Sequence, residues 1–227
     1  MKKVCIVILL FGQLLFSQKE YGRLSLELTT GLHVPFTSNK TIETSDYIGF
    51  KHINFGGRYM FTKKIGVKLG YRFDRFEQAD NHNFGNSYHV LSLEGVYNLG
   101  RLRNEERYEE RRFGLLGHLG ITYTMAFPEF PVGTQMTGLF GSRPFGDHKY
   151  EQMGGLIFGL TPQYKLSKYF ALVADISYLY NLEHQYAYSG HLIYADKTKV
   201  SGSYLNIGVG LHYYFGGRKE KIHADWY

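Results

Sequence analysis

Near the C-terminal end of the chain stand three residues whose types could do acyl-transfer chemistry: Asp175, Ser177 and His212, an acid, a hydroxyl nucleophile and a base. All three sit at matching positions of two consecutive segments with a period of two, so neighbouring strands would bring them to one face. Spacing alone leaves the stagger of those strands open, and a triad is defined by geometry. A packed interior would also give a substrate no way in, so an ion-pair network is the expectation for this set. His89, near Ser87, falls on the opposite face by parity, where a lipid-modifying enzyme would need its base and nucleophile, but no acid accompanies the pair. The ten histidines (His33, His52, His82, His89, His118, His148, His184, His191, His212 and His223) form no HExxH and no close liganding pair. No glycine loop precedes a helix to cradle a phosphate. The residues therefore assign no catalytic group, no metal and no cofactor.

Those residues are carried by alternating segments, the clearest of which is Ser203 to Phe215. Leu205, Ile207, Val209, Leu211, Tyr213 and Phe215 are apolar, and the residues between them are small, polar or amphipathic. Such a run is a strand with one greasy face. It exceeds the usual soluble strand and matches the roughly 9–11 residues that a tilted strand needs to cross a bilayer. Seven more segments share the pattern: 22–33, 50–61, 65–76, 88–99, 113–127, 152–166 and 169–182. The fold class expected is all-β, an eight-stranded antiparallel up-and-down transmembrane β-barrel, in keeping with the even strand number of single-chain bacterial barrels.

Composition agrees. Aromatics make up 17% of the 227 residues, with 27 glycines and 5 prolines, which favours strands and tight turns. Residues 1–17 carry Lys2 and Lys3, an apolar core from Val4 to Phe16 and a small residue before Gln18, the three parts of a secretory signal. The expected organisation is thus a signal peptide over 1–17, a barrel over 18–215 and a tail over 216–227. Cys5, the single cysteine, would leave with the signal, and with it any disulfide or thiolate ligand. The formal charge of +6 is dispersed and forms no basic stripe, so nucleic acid is not an expected partner.

Connections alternate in length. Residues 62–64 and 167–168 read as tight turns, whereas 34–49, 77–87, 128–151 and 183–202 are long and polar. Short turns at one end and long loops at the other are the arrangement of an outer-membrane barrel, which puts the short turns and both termini in the periplasm. Outward parity collects such residues as Leu26, Phe55, Leu69, Leu93, Leu119, Phe158 and Ile176. Aromatics gather at the strand ends: Phe61, Phe113, Phe170, Tyr213 and Phe215 on the short-turn side, Phe73, Phe127 and Tyr180 on the other. Inward parity collects Glu27, Arg58, Lys68, Arg72, Glu94, His118, Lys165, Asp175 and His212 among glycines. These are expected to pair as a charged plug, Glu94 with Lys68 or Arg72, Glu27 with Arg58, and Asp175 between strands that hold Lys165 and His212.

Three places depart from the pattern. The connector 99–112 is long and densely charged, with Arg103, Glu106, Arg107 and Glu110 at helical spacing. Pro162 interrupts a strand that has no edge, so a bulge is expected there. Loop 128–151 holds three of the five prolines together with Phe130, Met136, Phe140 and Phe145, apolar groups that suit a fold over the barrel mouth or a partner.

With strands, signal and terminal aromatics in place, the chain resembles the OmpA-like family of small outer-membrane barrels over Gly22 to Phe215. Gly208, Gly210, Tyr213 and Phe215 resemble the terminal signal read by the barrel-assembly machinery. The tail His223-Ala224-Asp225-Trp226 looks like the junction that leads, in some OmpA-type proteins, to a peptidoglycan-binding domain; wall anchoring by this chain is not an expectation. The resemblance implies an integral outer-membrane location, outer-membrane lipid and the assembly machinery as partners, and no cofactor. A non-enzymatic structural or scaffold role, with an envelope protein as a possible partner, is the expected function. A deacylase-like lipid-modifying enzyme and a narrow conduit for small hydrophobic molecules are the alternatives. A soluble lipocalin-type barrel would turn its apolar face inward; the glycine- and tyrosine-rich polar face, poor in Lys and Glu, and the alternating connections argue against it.

Overall fold

The computed structural model describes residues 23–36, 48–78, 81–102, 112–129, 150–184, 188 and 200–215. Eight strands follow in chain order: β1 (Leu24–Phe36), β2 (Gly49–Met60), β3 (Ile65–Gln78), β4 (Asn81–Asn98), β5 (Phe113–Glu129), β6 (Glu151–Lys165), β7 (Phe170–His184) and β8 (Val200–Tyr214). Each is hydrogen-bonded to its neighbours in sequence, and β8 pairs antiparallel with β1, so the sheet closes into a barrel with no free edge. The seam runs in unbroken register from Ser25 opposite Tyr214 to Phe36 opposite Ser203.

Period-two patterning decides which way each side chain points. On β2, His52, Asn54, Gly56 and Arg58 are buried while Ile53 and Phe55 are exposed; on β8, Asn206 and His212 are buried while Ile207, Val209 and Leu211 face out. The fold therefore turns its polar groups inward and its apolar groups outward, opposite to a soluble barrel. At several positions, Gly120 and Gly210 among them, the strands approach so closely that only glycine fits. A Cβ on Gly120 would stand 2.7 Å from the Glu94 Cα, and one on Gly210 would stand 2.7 Å from the Thr29 Cα.

Two of the tight turns are capped alike. Thr62 Oγ1 accepts from the backbone N–H of Lys64 and Ile65 at 3.1 and 3.0 Å, and Ser167 Oγ accepts from those of Tyr169 and Phe170 at 3.2 and 3.1 Å. Lys63, Lys64 and Lys168 stand around the turn apices.

Two expectations are corrected. The stretch 77–87 is not a long loop: β3 runs on to Gln78 and β4 begins at Asn81, with Gln78 opposite Asn81 across a register shift. The apolar alternation stops earlier because this hairpin extends past the apolar belt, where both faces are polar. Pro162 makes no bulge. It pairs with Leu115 of β5, and the β6–β7 ladder keeps one register on either side of it, resuming at Gln163 opposite Val173 after Leu160 opposite Ile176. The missing N–H is absorbed by skipping a rung. Finally, the connector after β4 opens as a 3-10 helix, Leu99–Leu102. The charged part expected to be helical from Arg103, the signal segment 1–17, the loop residues Phe130, Met136, Phe140 and Phe145, and the tail 216–227 lie outside the described residues.

Candidate functional site

Three carboxylates, two fixed cations and a histidine meet in the middle of the lumen. Lys68 Nζ donates to Glu27 Oε1 at 2.8 Å and stands 3.8 Å from Asp175 Oδ1. Arg72 Nη1 donates to Glu94 Oε1 at 2.9 Å, and its Nη2 lies 3.8 Å from Asp175 Oδ2. His118 bridges the two acids, its Nδ1 2.6 Å from Glu94 Oε2 and its Nε2 3.4 Å from Asp175 Oδ1. Hydroxyls complete the shell: Ser92 Oγ donates to Glu94 at 2.5 Å, Ser177 Oγ to Asp175 at 2.6 Å, and Thr161 Oγ1 to Asp175 at 3.2 Å. Asn54 Nδ2 donates to Glu27 at 3.0 Å. The ties span seven consecutive strands, β1 to β7, so the network braces the wall from within. Charges removed from water in this way need each partner in place.

Above it, Asp74 forms a second hub, with His52 Nδ1 at 2.7 Å, Asn206 Nδ2 donating at 3.1 Å and His33 Nδ1 at 3.8 Å. Below it, Arg58 Nη2 faces His212 Nδ1 at 3.1 Å and the Tyr214 hydroxyl at 3.5 Å, and that hydroxyl donates to Gln163 Oε1 at 3.1 Å.

The geometry rearranges several expected partners. Glu27 takes Lys68, one strand further round than the Arg58 expected for it. Asp175 is reached by Lys68, Arg72 and His118, and not by Lys165 or His212. Lys165 is half-exposed at the short-turn end of β6, outside the network. The set Asp175, Ser177 and His212 does not assemble either, because His212 is engaged with Arg58. The imidazole nearest Ser177 Oγ is that of His118, whose Nε2 lies 3.5 Å away. Ser177 spends its proton on Asp175, and both residues are 0% exposed. The Ser177 hydroxyl thus serves Asp175 as a hydrogen-bond donor.

A tier of rings closes the long-loop end of the lumen, and inward parity for charges did not anticipate it. Phe76 stacks edge-on against Tyr88 and Tyr204, with centroids 4.9 and 5.3 Å apart, and leans on Tyr188 at 4.6 Å and His33 at 4.3 Å. The Tyr88 hydroxyl is hydrogen-bonded to His184 Nε2, and the Tyr188 hydroxyl donates to the Ser203 carbonyl at 2.8 Å. The available signal was parity: Phe76, Tyr88 and Tyr204 all fall on the inward register. Arg72, Asp74, Tyr88 and Tyr204 are each 0% exposed, so side chains fill the lumen at their levels.

The outer wall is the reverse. Leu119 is 65% and Val209 60% exposed, and Phe55, Leu93, Ile121 and Phe158 belong to the same belt. Rings flank it at the short-turn end, where Tyr213 packs on Phe170 at 5.2 Å and on Phe215 at 5.0 Å. Gly208 and Gly210 lie in the β1–β8 seam, opposite Gly31 and Thr29. At the other end, His89 Nδ1 is hydrogen-bonded to the Tyr71 hydroxyl at 2.7 Å and nests between Phe73 and Phe127, with centroids 5.1 and 5.2 Å away. Ser87 is only 6% exposed, so the pair offers no open nucleophile. Among the described residues, no cluster of histidine and acid side chains could hold a metal ion.

No protein-family model matches the chain, and no curated protein matches it. Solved structures do. Neisserial surface protein A superposes with a TM-score of 0.54 at 9% identity, over 85% of this chain and 97% of that one. A major outer-membrane protein of Thermus thermophilus gives 0.49 at 13% identity, over 86% and 100%. OprG of Pseudomonas aeruginosa gives 0.48 at 14%, over 87% and 99%. The architecture is that of the small eight-stranded outer-membrane barrels.

Proposed function

We propose that the chain is an integral outer-membrane barrel without catalytic activity, sealed to solutes, that serves the envelope as a structural element or scaffold. It works through its long-loop end and the charged connector 99–112, with both termini in the periplasm after removal of residues 1–17. One observation carries this reading: the apolar belt surrounds a lumen in which the central carboxylates and cations pair with one another. That distribution suits hydrocarbon outside and no aqueous path within. A conduit for hydrophobic molecules would need an apolar lumen in place of the charged one, and a deacylase-like enzyme would need its serine open to lipid, whereas Ser87 and Ser177 are buried.

The belt gives the first expected result. Leu119→Arg, at the centre of the outer wall, will lower barrel stability in lipid vesicles by about 2–4 kcal/mol, read from the urea midpoint. A loss near zero would mean that this face meets water.

The role itself is tested in cells and in bilayers. The purified barrel will show no steady ion conductance across a planar membrane, and crosslinking in intact cells followed by mild-detergent recovery will bring down an envelope protein. Stepwise conductance would overturn the sealed-lumen reading. Recovery of no protein, with altered lipid A in a deletion strain, would replace the scaffold by an enzyme.

A further inference from the structure

The outer wall is not evenly covered. Between β3 and β6, at the short-turn end, a groove of about 450 Å³ runs between Ile65, Tyr97, Leu119, Phe158 and Leu160. Its floor is made by Gly95 and Gly117, which fall on the outward register of β4 and β5 where the belt elsewhere carries large side chains. A Cβ on Gly95 would touch only the Leu119 carbonyl oxygen, at 3.7 Å, whereas one on Gly117 would meet the Leu99 side chain at 3.0 Å, so the open part of the groove lies over Gly95.

The mouth of this groove is cationic. Lys64 directly precedes Ile65, its carbonyl accepts from the Asn98 N–H at 2.8 Å, and it is exposed beside Lys63 at the apex of the β2–β3 turn. Arg112 and Lys165 stand at the foot of the next two strands, joined by the Lys165 N–H donating to the Arg112 carbonyl at 2.7 Å. Among the described residues every acid lies in the lumen or toward the long-loop end, so the described part of this rim carries positive charge.

We infer that the groove is a phospholipid site, in which an acyl chain lies over Gly95 against Leu119 and Phe158 and an anionic phosphate headgroup meets Lys63 and Lys64, with Arg112 beyond. The inference rests on the outer wall facing hydrocarbon, as proposed above, and not on which end faces the periplasm. A chain in the groove replaces contacts that Gly95 omits, and lysines at a headgroup surface favour anionic lipid over zwitterionic lipid.

The test uses the full mature chain in nanodiscs of equal phosphatidylglycerol and phosphatidylcholine, extracted gently and weighed by native mass spectrometry. Wild type will retain lipid enriched about tenfold in phosphatidylglycerol. Gly95→Leu, which fills the groove, will retain several-fold less lipid of either kind. Lys63→Gln with Lys64→Gln will keep lipid but lose the preference. Heat-modified gel mobility confirms that each variant is folded, and Gly95→Ala serves should the larger side chain hinder folding. Equal retention by wild type and the folded glycine variant, or no enrichment in wild type, overturns the site. A chain that stays monomeric in water without detergent would instead overturn the membrane reading beneath it.

Discussion

Glu94→Leu will destabilise the barrel by about 3–5 kcal/mol, the range expected when one member of a buried ionic set is removed. Glu94 faces Arg72 at 2.9 Å, His118 at 2.6 Å and Ser92 at 2.5 Å, and it is 0% exposed. Leucine strips the guanidinium of its nearest counter-charge, leaving Asp175 at 3.8 Å as the acid still close to it. Water cannot make up the deficit at this depth. The urea midpoint in vesicles should fall with little change in slope. Three carboxylates (Glu27, Glu94, Asp175) face Lys68, Arg72 and His118, so removing one charge of each sign restores the balance. Glu94→Leu with Arg72→Met should therefore recover most of the loss, since buried ion pairs are often replaceable by apolar residues of similar volume. A single-variant loss below about 1 kcal/mol would show that the set is solvated.

Gly120→Val will prevent formation of the closed barrel. The obstacle is not a side chain that can turn aside. A Cβ there meets the Leu93 carbonyl carbon at 2.9 Å and the Glu94 Cα at 2.7 Å, both backbone atoms of the neighbouring strand. Relief requires β4 and β5 to separate along a ladder that pairs Gly85–Asn98 with Leu116–Glu129, and each broken rung leaves polar groups facing hydrocarbon. Valine at outward-facing Gly95 lacks this obstacle and is the control. The expected readout is loss of the compact, heat-sensitive gel band for Gly120→Val and its retention for Gly95→Val. A compact band in both would mean that the strands tolerate the added carbon.

The wall was legible because hydrocarbon outside and polarity inside impose one rule on every strand. Leu119 and Ile207 obey it from sequence alone, and so do Arg72 and Glu94, which point inward and stand 2.9 Å apart. Stagger was not legible. Whether Glu27 meets Arg58 or Lys68 depends on how strands slide round the barrel, and side-chain parity is blind to any slide by an even number of residues. The same blindness put His212 beside Asp175 on paper, where His118 stands in the fold. The aromatic tier escaped for a different reason: Phe76 and Tyr88 sit at the ends of the apolar segments, and rings at such positions look alike whether they face headgroups or cap a lumen. The turn around Gln78 and Asn81 was hidden because, beyond the belt, nothing distinguishes the two faces of a strand.

The β1–β8 seam sets the order in which this molecule can come into being. Its first strand finds its second partner only in the last one, at the far end of the sequence, so the ring stays incomplete until the C-terminal strand has arrived. Until then two ladders of unpaired amides stand open, templates for pairing with any extended chain. Contacts this remote in sequence also make spontaneous closure slow. A nascent copy is therefore most vulnerable before the seam seals, and anything that holds both ends of the barrel at once would shorten that interval most.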